Sequence, residues 1–209
     1  MYIHPSFKIE DREVIDAFIR KNSFGLLLTI FGSDIHDTHT PFVISDCGSL
    51  LIGHIARANE QWKNWDSSTT AKVIFTGEHA YVSPHYYESE FNVPTWNYTA
   101  VSVSGVLSII SDESEVLQFL EDLTALHERE TDAWKLNRED ERYLKLLSGI
   151  VVFRISIDKI EASFKLNQNK SFEDQSSVIN SLSQSACPFD HKVAATMQSN
   201  LKNKTEPSR

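Results

Sequence analysis

Glycine is scarce in this 209-residue sequence, with seven in all, and none stands in a G-x-G-x-x-G or G-x-x-x-x-G-K-[ST] arrangement. A glycine-rich loop cradling phosphates is therefore excluded as the main binding device. Cysteine is scarcer. Cys47 and Cys187 are the only two; they lie far apart and make no zinc-ligand spacing, and reduced thiols in a cytoplasmic protein are expected. Positive charge is in deficit, with 20 Lys and Arg against 29 Asp and Glu and a net charge of −9. Binding to nucleic acid draws most of its strength from cations on phosphates, and no Lys/Arg run supplies them, so direct nucleic-acid binding is not expected. Long apolar runs are missing too. The longest, Phe24–Phe31 and Ile150–Phe153, are strand-sized, so no membrane span is expected, and the N-terminus does not read as a secretory leader. No internal repeat and no low-complexity block occur.

The remainder is an ordinary globular composition, 41% hydrophobic and 23% charged, enough for one large core without staples. Asp11–Lys21 sets Val14, Ile15, Phe18 and Ile19 at helical spacing. A β-rich stretch follows: Phe24–Phe31, Thr38–Ser45, Ser49–Ile55, Ala71–Gly77, His79–Pro84 and Ala100–Ile110 all read as strands. Gly32-Ser33-Asp34 and Asp46-Cys47-Gly48 supply the turns, and a short helix is expected near Asn59–Trp65. Val101, Val103, Leu107 and Ile109 alternate with serines, predicting a half-buried antiparallel strand. Asp112 and Glu115 resemble a capping box ahead of an apolar stripe running to Leu126. A second helix near Arg138–Leu147 precedes strands Gly149–Ile157 and Lys159–Leu166. Helices over Phe172–Ser183 and Val193–Leu201 end the pattern. The expected fold is mainly β with flanking helices, a small closed antiparallel barrel. Residues 1–183 would form that domain and 184–209 a terminal helix with a polar tail.

Three segments carry chemistry. In GHIARANEQW, Arg57 and Asn59 stand where a strand turns into a helix, a place that suits a phosphate, although Arg57 serves equally well in a surface ion pair. In VPTWNY, the run Thr95, Trp96, Asn97 and Tyr98 suits a planar ring and its polar edge, or a core corner. KLNQN, from Lys165 through Gln168 to Asn169, offers a cation and three amides, or a solvated turn. His36 and His39 have no evident third ligand, so no metal site is expected. Cys187-Pro188 with His191 has the look of a short thiolate-haem segment in a polar region. No nucleophile elbow is present.

Taken together, MYIHPSF, THTPFVI, GHIARANEQW, VIFTGEHAYVSPHYY, VPTWNYTAVSVSG and KLNQNK resemble the successive blocks of PaiB-type proteins. These are the FMN-binding negative transcriptional regulators of the flavin-binding split-barrel superfamily, and the resemblance runs from Met1 to about Asn180. It implies a six-stranded split barrel, a homodimer, and FMN at the dimer interface. On this resemblance Arg57 and Asn59 hold the FMN phosphate with Trp62 beside them. Thr95, Trp96, Asn97 and Tyr98 line the isoalloxazine or ribityl chain. Lys165, Gln168 and Asn169 close the pocket from one subunit or the other, and His39 and His54 face the same cavity. Asn167 stands where the family usually shows Ser. The implied function is a flavin-binding regulator or sensor without a DNA-binding motif. An FMN-dependent oxidoreductase is the alternative, as is a haem-binding protein using His54, His85 or His191 as axial ligand.

Overall fold

The computed structural model describes residues 1–128 and 134–205, with side chains described to residue 202. The strands are β1 (Lys8–Ile9), β2 (Phe24–Phe31), β3 (Asp34–Ile44), β4 (Leu50–Ala56), β5 (Thr70–Val82), β6 (Thr95–Ile110) and β7 (Ile150–Lys165). The helices are α1 (Arg12–Lys21), α2 (Glu113–His127), α3 (Glu141–Leu147), α4 (Phe172–Ser183) and α5 (Pro188–Thr205), with short 3-10 turns at Pro5–Phe7, Glu60–Asn64 and Pro84–Tyr86. In the sheet order β1-β7-β4-β3-β2-β5-β6, β6 also pairs with β7, so β2 through β7 close into a six-stranded barrel. The registers of β2 with β3 and β5, and of β4 with β3 and β7, are antiparallel.

The chain divides into two compact units. The barrel unit comprises Arg12–Phe75 and Val101–Ile160. Its interior follows from strict alternation: Leu27, Phe42, Leu51, Val73, Phe75, Val101, Val103, Phe153 and Ile155 are fully buried. The Phe42 ring meets Phe75 edge-on at 5.6 Å and Phe153 at 6.0 Å, the arrangement that aromatic quadrupoles favour. Helix α1 packs against β3, burying Ile15, Phe18 and Ile19 of the expected stripe, while Val14 is exposed. Helix α2 starts on Asp112, whose carboxylate accepts from the Glu115 amide at 2.9 Å. The reciprocal half of the expected box is replaced, because the Glu115 carboxylate pairs with Arg154 at 3.2 Å. Phe119 of α2 joins Ile110 and Val152 in a second apolar cluster.

The helical unit comprises Met1–Asp11, Thr76–Ala100 and Glu161–Arg209. Here β1 pairs with Ser163 and Ala162 of β7. Val178 and Leu182 of α4 meet Val193, Ala194, Met197 and Leu201 of α5 over Ala80, Val82, Tyr87 and Leu166. Helix α5 is longer than the expected Val193–Leu201, and its buried side is Val193, Ala194, Met197 and Leu201.

The structure differs from the sequence reading at three strands. Ala71–Gly77 and His79–Pro84 form one strand, β5, and Gly149–Ile157 and Lys159–Leu166 form one strand, β7. Gly77 and the Asp158-Lys159 pair have turn-like composition, yet each strand continues through them. In β6 Thr99–Val103 are all buried, and the expected alternation appears only from Ser104 to Leu107 before it slips. Ser102 is buried, whereas Ile109 is 38% exposed and Ile110 is buried.

Candidate functional site

In the barrel unit, a cavity of about 760 Å³ lies beside α3 and the ends of β6 and β7, with Arg57 and Trp62 in its wall. Its floor is apolar, from Ile109, Val116, Leu144, Leu147, Ile150 and Val152. Its charged groups are Arg57, Lys145, Glu113 and Glu141, and Ser111 and Ser148 add hydroxyls. The volume falls in the range of small-molecule and cofactor pockets, and a largely apolar wall with a few polar groups is their usual chemistry.

The GHIARANEQW block builds the wall that carries Arg57. Asn59 caps the 3-10 turn, its Oδ1 accepting from the Gln61 amide at 2.9 Å while its Nδ2 donates to Thr38 Oγ1 at 2.7 Å. Gln61, 3% exposed, receives Thr38 Oγ1–H at 2.6 Å and donates to Thr29 Oγ1 at 2.9 Å and to the His36 carbonyl at 3.3 Å. This buried polar knot locks the turn to β2 and β3, since each of its groups finds a partner away from water. Trp62 then donates its indole N–H to the Arg57 carbonyl at 2.9 Å, and the guanidinium lies 5.5 Å from the indole centroid. Arg57 Nε and Nη2 donate to the carbonyls of Ser148 and Ile150 at 2.7 and 2.8 Å. The cation is thus fixed at the cavity wall, and Nη1 has no hydrogen-bond partner among the described residues. Asn59 spends both ends of its amide locally, so its part is to shape the turn.

Neither histidine expected here lines that cavity. His39 is exposed on β3 and stacks on Phe24, centroids 6.0 Å apart. His54 sits on β4 with its ring edge to Phe119 at 5.7 Å, and its Nδ1 is buried without a hydrogen-bond partner. Burial holds the His54 imidazole below its ordinary 6.5, because the cation would lose its hydration. The unfolded ring therefore takes up a proton that the folded one refuses, so this contribution to stability is present above about pH 6.5 and is lost on acidification. The urea midpoint should fall between about pH 7.5 and pH 5.5, and His54→Gln should fall less. An equal drop in both proteins would show that His54 does not drive it. Of the other histidines considered for haem, His85 is exposed in a 3-10 turn and His191 Nε2 lies 2.6 Å from the Ser185 carbonyl.

The helical unit holds the other expected residues. Lys165 Nζ donates to Thr95 Oγ1, and burial lowers the lysine pKa. Ser163 Oγ donates to Tyr98 OH at 3.4 Å. Asn97 is fully buried, with Nδ2 against Met197 Sδ at 3.3 Å and Oδ1 unpartnered. Trp96 is 54% exposed and continues a row of rings, Tyr81 and His79 each at 6.0 Å, with Phe189 at 6.4 Å from His79. Gln168 closes the KLNQN turn, accepting from the Leu166 amide at 2.7 Å and donating to the Phe164 carbonyl. Asn169 is exposed. Asn167 adopts φ +62, a left-handed conformation that asparagine tolerates better than most residues, and donates to Tyr87 OH at 3.2 Å. Several of these side chains are thus committed to fastening loops, whereas Trp96 and Asn169 are exposed.

The sequence reading missed α3 entirely as a wall of the cavity. The available signal was Leu144 and Leu147 at helical spacing beside a lysine, a pattern shared with any surface helix.

A family described as "Putative FMN-binding domain" matches residues 1–159 of the chain. The sequence is 34% identical over 206 residues to "Protease synthase and sporulation protein PAI 2" of Bacillus subtilis (strain 168), covering 97% of this chain and 99% of that protein. Among solved structures, the FAD and heme binding protein from Mycobacterium smegmatis superposes with a TM-score of 0.61 at 15% identity, covering 81% of this chain and 78% of that one. The flavocytochrome Anf3 from Azotobacter vinelandii gives 0.56 at 16% identity, covering 76% and 69%. At these identities the structural likeness concerns the fold alone.

Proposed function

The chain belongs to the FMN-binding split-barrel family, and on that premise we propose that it is a flavin-binding regulator or sensor that works as a homodimer without reading DNA itself. The observation that carries the reading is the cavity beside α3, an apolar floor with the Arg57 guanidinium fixed at its wall. Its donor set suits FMN: apolar side chains for a ring, two hydroxyls for the ribityl chain, and cations for a phosphate. FMN, when bound, supplies reversible hydride and electron chemistry, and the protein's part is to bind it and shield it from water. Arg57 would hold the phosphate, and Trp62 would keep the guanidinium in place.

The homodimer is supported by the outer face of β2 and β3. Phe24, Ile30 and Ile35 are 64, 69 and 67% exposed, with Ile30 opposite Ile35 in the ladder. Such a contiguous apolar sheet face is unusual on a monomer and is buried in assemblies. Net charge −9 supports regulation through a protein partner or the flavin's redox state rather than through operator contacts.

The test is to add FMN, desalt, and follow absorbance during sedimentation. The expected result is retained flavin bands moving at dimer mass, with Ile30→Lys shifted to monomer. A colourless protein, or a monomeric wild type, overturns the corresponding half of the reading. A gel shift with DNA at low salt would overturn the indirect route. Sustained NADH or NADPH oxidation would move the assignment to an oxidoreductase.

A further inference from the structure

We propose that Lys145 is the second cation of the phosphate site, an assignment that rests on the FMN reading above. A phosphate monoester carries about −1.5 to −2 at neutral pH. Arg57 brings one positive charge and has already committed Nε and Nη2 to backbone carbonyls. The same lining holds the carboxylates of Glu113 and Glu141, so with Arg57 alone the wall would be net negative and would repel the ligand. Lys145 is the one other cation in that lining among the described residues, and it restores the balance.

Its position is tied to that of Arg57. The guanidinium grips the Ser148 carbonyl at 2.7 Å, and Ser148 Oγ in turn donates to the Lys145 carbonyl at 2.8 Å. These two hydrogen bonds run from the first cation to the backbone of the second, so the end of α3 is placed by Arg57 itself. The Lys145 ammonium is open to an incoming anion. Its side chain is 78% exposed, and its ion pair with Glu141 is long at 3.9 Å and exposed on both sides. Pairs of that kind contribute little, so exchanging the carboxylate for a phosphate costs little. A lysine suits this role as a mobile point charge beside a fixed planar fork. Glu141 then acts as a competitor that occupies Lys145 when no anion is bound.

The experiment compares FMN with riboflavin, which lacks the phosphate, by flavin fluorescence titration of the full-length wild type, Lys145→Met, Lys145→Arg and Glu141→Gln. Lys145→Met should weaken FMN about tenfold, the scale of one charge-assisted contact, and leave riboflavin unchanged. Lys145→Arg should stay within about threefold of wild type, because it keeps the charge. Glu141→Gln should bind FMN more tightly. Unchanged FMN affinity in Lys145→Met overturns the proposal, as does an equal loss for both flavins, which would make Lys145 a prop for α3. A wild type that binds neither flavin overturns the FMN reading and this inference with it.

Discussion

Gly105→Ala should cost the protein about 3 kcal/mol or more, beyond the middle of the usual overpacking range, and lower the melting temperature by roughly 10 °C for a chain of this size. A Cβ at Gly105 would lie 1.9 Å from the Ser156 carbonyl oxygen and 2.8 Å from its carbon. Both are backbone atoms of β7, so no rotamer change relieves the clash, and β6 must move away from the strand that closes the barrel. Gly53 provides the contrast. There the nearest atoms to an added Cβ are ring carbons of Phe42 at 2.8 and 2.9 Å and of Phe153 at 3.0 Å, side chains that can tilt at some loss of packing. Thermal unfolding followed by circular dichroism should therefore rank the variants wild type, Gly53→Ala, Gly105→Ala in falling stability. A Gly105→Ala protein melting within about 2 °C of wild type would mean that the β6–β7 seam gives way easily. Gly105 needs no unusual φ, so the requirement is one of space alone.

The clearest sequence signals in this chain were those in which one local pattern had one physical cause. Phe24–Phe31 is a strand-sized apolar run and becomes β2, although Phe24, Ile30 and Phe31 at its ends are exposed. Phe172–Ser183 begins after a capping serine and becomes α4, and the acid at Asp112 starts α2. What escaped depended on partners far along the chain. Gly77 and Asp158-Lys159 look like turns on composition, yet β5 and β7 continue through them. Helix α5 buries Val193, Ala194, Met197 and Leu201 against partners far along the chain, Ala80, Val82 and Tyr87 among them, as well as α4. The site divides in the same way. GHIARANEQW was recognisable as a block, but its inner logic was not. Gln61, which carried no expected role, proves to be the buried hub, while Asn59 shapes the turn. Lys145 belongs to a helix with no buried residue, and only the folded chain brings it to the cavity of Arg57.

Arg57→Ala should weaken FMN binding by about 2 kcal/mol, close to thirtyfold, the scale of losing a charge-assisted contact to a phosphate. Two roles meet in this side chain, and they predict different patterns. As a phosphate ligand it matters only to flavins that carry the phosphate. As a clamp on the Ser148 and Ile150 carbonyls it shapes the cavity for any ligand and also supports the fold. Riboflavin separates the two. A loss confined to FMN measures the anion contact, and whatever loss riboflavin shares measures the clamp. Arg57→Lys sharpens the reading, since lysine keeps the charge but cannot grip two carbonyls in a planar fork. It should recover part of the FMN affinity without recovering the melting temperature, which stacking on Trp62 supports by about 0.5–1 kcal/mol. Equal affinity for FMN in wild type and Arg57→Ala would place the phosphate elsewhere and leave Arg57 as a clamp alone. Equal losses for FMN and riboflavin would say that the cavity needs its shape more than its charge. The expected pattern, a large loss for FMN and a small one for riboflavin, makes one guanidinium both the ligand for the phosphate and the fastener that brings α3 to it.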